Sequence, residues 1–368
     1  MLKRLRRPTT LVLTTLIPAS LALAACGEGE GELKGSDAFS ISGEVGEAPA
    51  VDWKGTLAPE KASSTVLVEG DGAEISDGDE LLMDFALVNG YTHKVDYSTF
   101  DADALAATVT VGATEPETAL DVLTAAVRDA IEPGQKLGTR IAVTVGSDVL
   151  LGDYLGNEAV AGMAVSMDIG NEDGLLFVAD LRSFVGPTGT EQKPAAGTPG
   201  IVEKDGVPTK LDFAGIPGDS GKLKVTSLVV GDGPVVTKGQ QIMVNYLGQT
   251  RTGKAPFDES YASTPFTAVV GGPSASVVKG WSRGLVGLPV GSRVILEIPP
   301  SLGYGKEAQK DDQGKVTIPA NSTLYFVIDI LDAADVEAAA EPEPSESASE
   351  STSESTSEST SPSETASE

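Results

Sequence analysis

The sequence predicts an α+β fold in which a half-open antiparallel sheet is folded over one short helix, and it predicts this arrangement twice. Three observations lead there. Segments 224–230, 241–246, 292–298 and 324–331 alternate apolar and polar residues, the pattern of strands with one buried face. Clusters of Gly, Pro and Asp separate them, and 42 Gly and 22 Pro suit a turn-rich chain rather than a helical bundle. Residues 51–85 and 211–246 also resemble each other in order, which argues for duplication of one folding unit.

The chain opens with Lys3, Arg4, Arg6 and Arg7, followed by an apolar run over 11–25 that is too short for an ordinary membrane span. Residues 1–25 therefore read as a signal peptide. The run ends Leu23-Ala24-Ala25-Cys26-Gly27, which resembles the lipobox of bacterial lipoproteins. That resemblance implies lipidation of Cys26, anchoring to the membrane and an extracytoplasmic location. Two acyl chains suffice for stable anchoring. Residues 26–36, rich in Gly and Glu, read as a flexible tether.

The repeat sets the domain organisation. Val51-Asp52-Trp53-Lys54-Gly55 answers Leu211-Asp212-Phe213-Ala214-Gly215, and Leu82-Met83-Asp84-Phe85 answers Met243-Val244-Asn245-Tyr246. With small gaps, Thr99-Phe100-Asp101 answers Pro256-Phe257-Asp258, Leu137–Ile141 answers 290–294, and Leu175-Leu176-Phe177-Val178 answers Leu324-Tyr325-Phe326-Val327. One domain is expected over 37–185 and a second over 200–332. Residues 186–199 read as a linker by composition. Residues 333–368, mostly Ser, Glu and Thr, lack the apolar groups needed to offset ordering entropy and read as a disordered acidic tail.

Charge and composition exclude several function classes. A formal charge of −28 argues against nucleic acid as a partner, since no basic stripe is present to neutralise phosphates. The chain has one Cys, Cys26, and one His, His93. An internal disulfide, a multi-thiolate zinc site and an imidazole-based catalytic set are thereby disfavoured, and no metal or cofactor is expected. His93, just after Asn89-Gly90, reads as an exposed turn residue.

What remains is a gathering of aromatics with one acid. Residues 244–261 read as a strand that turns at Gly253 and closes on Phe257-Asp258. Val277-Val278-Lys279-Gly280-Trp281 and Leu302-Gly303-Tyr304-Gly305 follow. This composition suggests an apolar pocket with a few polar anchors. The one convincing helix is expected over 276–286, with Ser276 as cap and Val277, Val278, Trp281 and Leu285 on one face. Gly280 and Gly284 on it permit close backbone approach.

These motifs, together with Val290-Gly291-Ser292 and Ile318-Pro319, resemble the FKBP-type peptidyl-prolyl cis-trans isomerases over nearly all of 220–332. The resemblance implies two tandem FKBP-like domains, each a curved antiparallel sheet folded over a short helix. It implies a pocket floored by Trp281 and walled by Tyr246, Phe257, Phe266, Val277, Val278 and Phe326. Tyr304 and the main chain at Ile318 would anchor substrate carbonyls, and Asp258 would be the acid at the rim. Implied partners are proline-containing segments of exported proteins, with macrolides as a second ligand class. A charged segment over 306–315, longer than in minimal members and without His, should overhang the pocket and bear on substrate choice.

The first domain resembles the family more weakly. Phe85 replaces Tyr246, Phe100-Asp101 matches the Phe-Asp pair, Val127 falls where Trp281 sits, and Tyr154 and Ile169 stand roughly for Tyr304 and Ile318. The fold is expected there without efficient catalysis. Two rivals are a non-enzymatic peptide-binding module or chaperone, and a solute-binding lipoprotein. The latter would need crossover helices that the pattern lacks.

Overall fold

The computed structural model describes residues 32–336 apart from Thr114 and Glu117. The expected signal peptide, the lipidation site Cys26, the start of the tether and residues 337–368 lie outside the described residues.

Two antiparallel sheets are built from strands of closely similar order. In the first half a hairpin of β1 (Phe39–Ser42) and β2 (Ala50–Trp53) precedes β3 (Ser63–Val68), β4 (Glu80–Asn89), β5 (Val95–Ser98) and β6 (Ala107–Thr110). Helix α1 (Ala119–Arg128) and β7 (Arg140–Gly146) follow, then α2 (Ser147–Leu151), α3 (Glu158–Ser166) and β8 (Gly174–Phe184). The sheet runs β3-β7-β8-β4-β5, with β6 also on β4. In the second half β9 (Thr190–Glu191) and the hairpin β10 (Gly200–Lys204) and β11 (Val207–Asp212) precede β12 (Lys224–Val230), β13 (Gln241–Thr250), β14 (Asp258–Glu259) and β15 (Phe266–Val269). Then come α4 (Lys279–Leu285), β16 (Arg293–Ile298) and β17 (Leu324–Ala334), in the order β9-β12-β16-β17-β13-β14 with β15 on β13.

The central strands of each sheet are buried on both faces. One face packs on its helix: Phe85, Leu123, Val127 and Phe177 in the first half, Tyr246, Trp281, Leu296 and Phe326 in the second. The other face is covered by the preceding hairpin, through Phe39, Val51, Trp53 and Val178 or through Ile201, Leu211, Phe213 and Tyr325. This explains why the matched stretches begin at Val51 and Leu211. Under each hairpin lies an Arg–Asp pair at the same register. Arg140 Nε donates to Asp180 at 2.6 Å, and its other nitrogens donate to the carbonyls of Gly43 and Glu47. Arg293 Nε donates to Asp329 at 2.6 Å.

Four expectations are corrected. Residues 32–36 are ordered: Glu32–Leu33 pairs with Thr56–Leu57, and a 3-10 turn follows at Gly35–Ala38. Residues 186–199 are no free linker, because β9 adds to the edge strand β12 and the Thr188 N–H donates to the Gly291 carbonyl. The last strand runs to Ala334, and the Asp335 N–H donates to the Ala102 carbonyl, so the chain is still held beyond residue 333. His93 is half-buried, with its ring stacked on Trp53 at 4.5 Å and 7°. Its φ of 60° is the left-handed conformation that His tolerates better than most residues.

The halves touch where the ends of their sheets meet. Leu82 and Ala106 pack with Met243 and Leu331. Asp332 accepts from the Ala106 N–H at 2.8 Å, while Arg182 reaches both Asp84 and Asp332.

Candidate functional site

The second half gathers five aromatic rings over α4. Tyr246 comes from the middle of β13, Phe257 precedes β14, Phe266 opens β15, Trp281 lies on α4 and Phe326 on β17. Tyr246 and Phe326 each meet Trp281 edge-on with centroids 5.3 Å apart. Phe266 stands 5.4 Å from Tyr246, and Phe257 stands 5.6 Å from Phe326. Edge-to-face contacts of this kind suit the ring quadrupoles and fix the rings' orientations. Trp281, Tyr246 and Phe326 are buried and Phe257 is half-buried, whereas Phe266 and Tyr304 are exposed. The cluster therefore has a solid floor and an open mouth. Val277 and Val278 pack half-buried against it.

Two glycines make this possible. A Cβ at Gly248 would lie 2.6–2.7 Å from ring atoms of Phe326 and Phe257, so only glycine lets both rings close over β13. A Cβ at Gly280 would strike Ile298, so α4 lies directly on β16 and holds Trp281 low. The helix is shorter than expected. Val278 is extended, with φ −56° and ψ 149°, so the helix starts at Lys279 without a side-chain cap. The Ser276 hydroxyl instead accepts the N–H of Val269 at 3.1 Å.

One polar anchor is built into the ring cluster. The Tyr246 hydroxyl donates to Asp258 Oδ2 at 2.6 Å, short enough for a charge-assisted bond. Ser260 sets this register, donating its N–H to the Tyr246 carbonyl at 2.9 Å and accepting the Tyr246 N–H on its hydroxyl at 3.0 Å. Burial, aided by the bond to Asp258, pushes the Tyr246 phenol well above its usual range. Burial and the nearby Asp258 charge raise Tyr304 as well. Both phenols thus stay protonated at neutral pH and can donate. The Trp281 indole N–H is buried without a hydrogen-bond partner among the described residues.

Ile318 is buried in the same apolar cluster, so its side chain is core. Its main chain belongs to a small hairpin pairing Gln309–Lys310 with Val316–Ile318. The charged stretch 306–315 supplies the first strand of this hairpin and its turn, the turn being closed by Asp311, whose carboxylate accepts the N–H groups of Gln313 and Lys315. Ser260 and Gly248 were not singled out from the sequence. A glycine inside an otherwise apolar strand was the available signal for Gly248.

The first half does not repeat this site. The Thr99 hydroxyl accepts the Phe85 N–H at 2.8 Å, and the Thr99 N–H donates to the Phe85 carbonyl. This is the arrangement of Ser260 with Tyr246. Thr99 therefore answers Ser260, which corrects the match of Phe100-Asp101 with Phe257-Asp258. Asp96 stands at the Phe257 position and Tyr97 at that of Asp258. Phe100 answers Tyr261 and lies under the Arg140 guanidinium at 5.7 Å. The Tyr97 ring stacks on Phe85 at 5.2 Å, where the second half has a phenol–carboxylate bond. The Phe266 position is Ala107, by the pairing of each with Met83 or Val244. Val127 is buried on α1, and Leu150, Leu151, Val160 and Ala164 of the added helices complete that core. Tyr154 is exposed and lines a groove with Ala125 and Ala126 of α1. Ile169 is simply core.

Residues 233–331 match the model of the family described as FKBP-type peptidyl-prolyl cis-trans isomerase. The chain is 32% identical over 159 residues to FK506-binding protein 4 of Aspergillus oryzae, covering 42% of this chain and 28% of the relative. It is 31% identical over 111 residues to the 39 kDa FK506-binding nuclear protein of Drosophila melanogaster, covering 30% and 29%. It thus spans less than a third of the length of either relative. Among solved structures, AtFKBP13 is 33% identical over 32% of this chain and 96% of its own, with a TM-score of 0.28.

Proposed function

Because residues 233–331 belong to the FKBP-type peptidyl-prolyl cis-trans isomerase family, we propose that this protein accelerates rotation about Xaa-Pro bonds in exported polypeptides, using the aromatic pocket of its second half. The observation that carries this reading is the five-ring cluster with one phenol–carboxylate pair at its mouth. Such a site can grip a proline ring and hold a neighbouring carbonyl, and it contains nothing that forms a covalent bond to substrate.

The chemistry needs no nucleophile. Rotation is slow because it breaks amide conjugation, at a barrier of about 18–20 kcal/mol. The twisted amide has lost that conjugation and is less polar than the planar one. A dry pocket of ring faces and edges favours it over the ground state, which is differential binding of the transition state. Trp281 carries the proline ring, Phe257, Phe266 and Phe326 exclude water, and Val277 and Val278 extend the wall. Tyr304, kept protonated, donates to a substrate carbonyl together with the main chain near Ile318. Asp258 fixes the Tyr246 hydroxyl and leaves its second oxygen at the rim. The names of the relatives refer to FK506, and we assign macrolides of that class to the same pocket.

The wider setting is part of the proposal. The chain comprises two tandem FKBP-like domains that divide near residues 186–199, the first without a working pocket. Cys26 is lipidated and anchors the protein on the outer side of the cell membrane, and the acidic tail is a solubilising spacer. The test is proline-peptide kinetics on the full chain. Asp258→Val combined with Trp281→Ala abolishes catalysis; turnover unaffected by that pair would refute the assignment.

A further inference from the structure

The two sheets differ along one edge. In the second, β9 adds antiparallel to β12, pairing Thr190 with Val230 and Glu191 with Val229. The Gln192 N–H extends the contact by donating to the Leu228 carbonyl at 2.8 Å. The counterpart of β12 in the first sheet is β3, and no described segment pairs with its outer edge. All six residues of β3 are exposed, with Val66 at 43%, Leu67 at 39% and Val68 at 41%. Ser-Ser-Thr-Val-Leu-Val contains neither charge nor proline, two of the devices that ordinarily keep an edge strand from pairing; its register shift between Val66 and Val68 is matched by one between Ser227 and Val229 in β12, which takes up β9 nonetheless. Beside the start of β3 opens a groove of about 430 Å³, with Ser63 and Ser64 on one side, Ala125 and Ala126 of α1 on the other, and Tyr154 along it. Two of its charges, Arg128 and Asp129, pair with each other.

We propose that β3 takes up an extended, uncharged segment of a client polypeptide as an added antiparallel strand, with alternate side chains of that segment entering the groove. β9 on β12 shows this edge engaged in the other half of the same chain. In strand addition main-chain hydrogen bonds supply affinity, and pockets for every second side chain supply specificity. Charge selects the occupant. A second copy, with a formal charge of −28, is repelled by the first. The leader stretch Gly-Glu-Gly-Glu-Gly-Glu over 27–32 carries a carboxylate at every second position. As a strand it would set those charges on one face, against valines and alanines. A β-branched or aromatic uncharged segment meets no such cost. The identity of the client rests on the function proposed above, whereas the edge itself does not.

The experiment uses the full chain and a fluorescein-labelled, proline-free peptide of alternating Val and Thr, followed by fluorescence anisotropy and by hydrogen exchange of residues 63–68. The peptide binds and slows exchange of the outward β3 amides. Val66→Lys with Val68→Lys weakens binding by about tenfold or more, while catalysis on a short proline peptide, which certifies folding, is retained. Leu67→Lys serves as a second variant should that pair fail to fold. Trp281→Ala leaves the peptide affinity unchanged. Equal affinity in the lysine variants, or loss of binding in Trp281→Ala, overturns the proposal. So does a dimer that the lysine variants dissociate, or β3 protection in the peptide-free chain that deletion of 27–31 removes. Peptide binding without any proline catalysis would instead refute the isomerase reading and leave the edge assignment standing.

Discussion

Gly280→Ala tests how the pocket floor is held. The added methyl would lie 2.6 Å from Ile298 Cδ1 and 2.8 Å from Cγ1, and closer still to Cγ2. Carbon atoms in contact prefer about 3.5–4.0 Å, so the methyl intrudes by roughly 1 Å. Ile298 is fully buried and β-branched, and cannot swing aside. The helix must move instead. Overpacking of this kind costs about 1–3 kcal/mol, and the better helix propensity of Ala returns up to about 1 kcal/mol. A net destabilisation of about 1–2 kcal/mol follows, and Trp281, the next residue, rises with the helix into the pocket. Gly284→Ala is the internal control. Its methyl meets Leu296 Cδ2 at 2.9 Å, the far end of a flexible side chain, so a smaller loss is expected. Chemical denaturation followed by Trp fluorescence and kcat/KM on a proline peptide read both effects. If Gly280→Ala matches the parent in stability and kcat/KM, or Gly284→Ala is the more damaging, the close-approach argument fails.

Two further perturbations address the first half. Arg140→Ala leaves Asp180 buried without its guanidinium and frees the hairpin of β1 and β2. Breaking such a pair costs about 3–5 kcal/mol, and limited proteolysis should open near residues 43–48; a loss below about 1 kcal/mol would contradict this. Burial, with Asp168 and Asp173 nearby, pushes the Asp96 carboxyl up to about 6. Because the folded value lies above the ordinary one of 3.8, the fold penalises the charged form: the contribution of Asp96 to stability is fully present below pH 4 and is lost through the window to pH 6. Asp96→Asn therefore stabilises above pH 6 and not at pH 4, by about 1 kcal/mol once partial exposure is allowed for. Equal thermal shifts at both pH values would refute it.

Much of this was legible in the sequence, for local reasons. Residues 224–230 are rich in Val, Thr and Leu, lie between Gly/Pro/Asp clusters and form β12 over the same residues. Gly280 and Gly284 already implied a helix pressed onto a sheet. The rest depended on partners distant in sequence. An extended Val278, not Ser276, decides where α4 begins. The Phe-Asp match drew Phe100 onto Phe257 because two identical residues outweighed a four-residue slip, whereas Thr99 and Ser260 fix the register by paired backbone bonds. The offset of 161 between Phe85 and Tyr246 carries straight on to Thr99 and Ser260, and would have located it. Helix α3, Glu-Ala-Val-Ala-Gly-Met-Ala-Val-Ser, is nearly all small and apolar and shows no clear polar face. The linker composition of 186–199 says nothing of the open edge on which β9 lies.

The measurement that bears most directly on the central claim, rotation in an aromatic cage with no proton or covalent transfer, is kcat/KM for one proline peptide across pH 6–9 in H₂O and D₂O. Tyr246 and Tyr304 are both raised above the ordinary tyrosine value and stay protonated throughout this window. The account predicts a flat profile and a solvent isotope effect of about one. A bell-shaped profile with a clear isotope effect would mean that a proton moves in the transition state, and would contradict it.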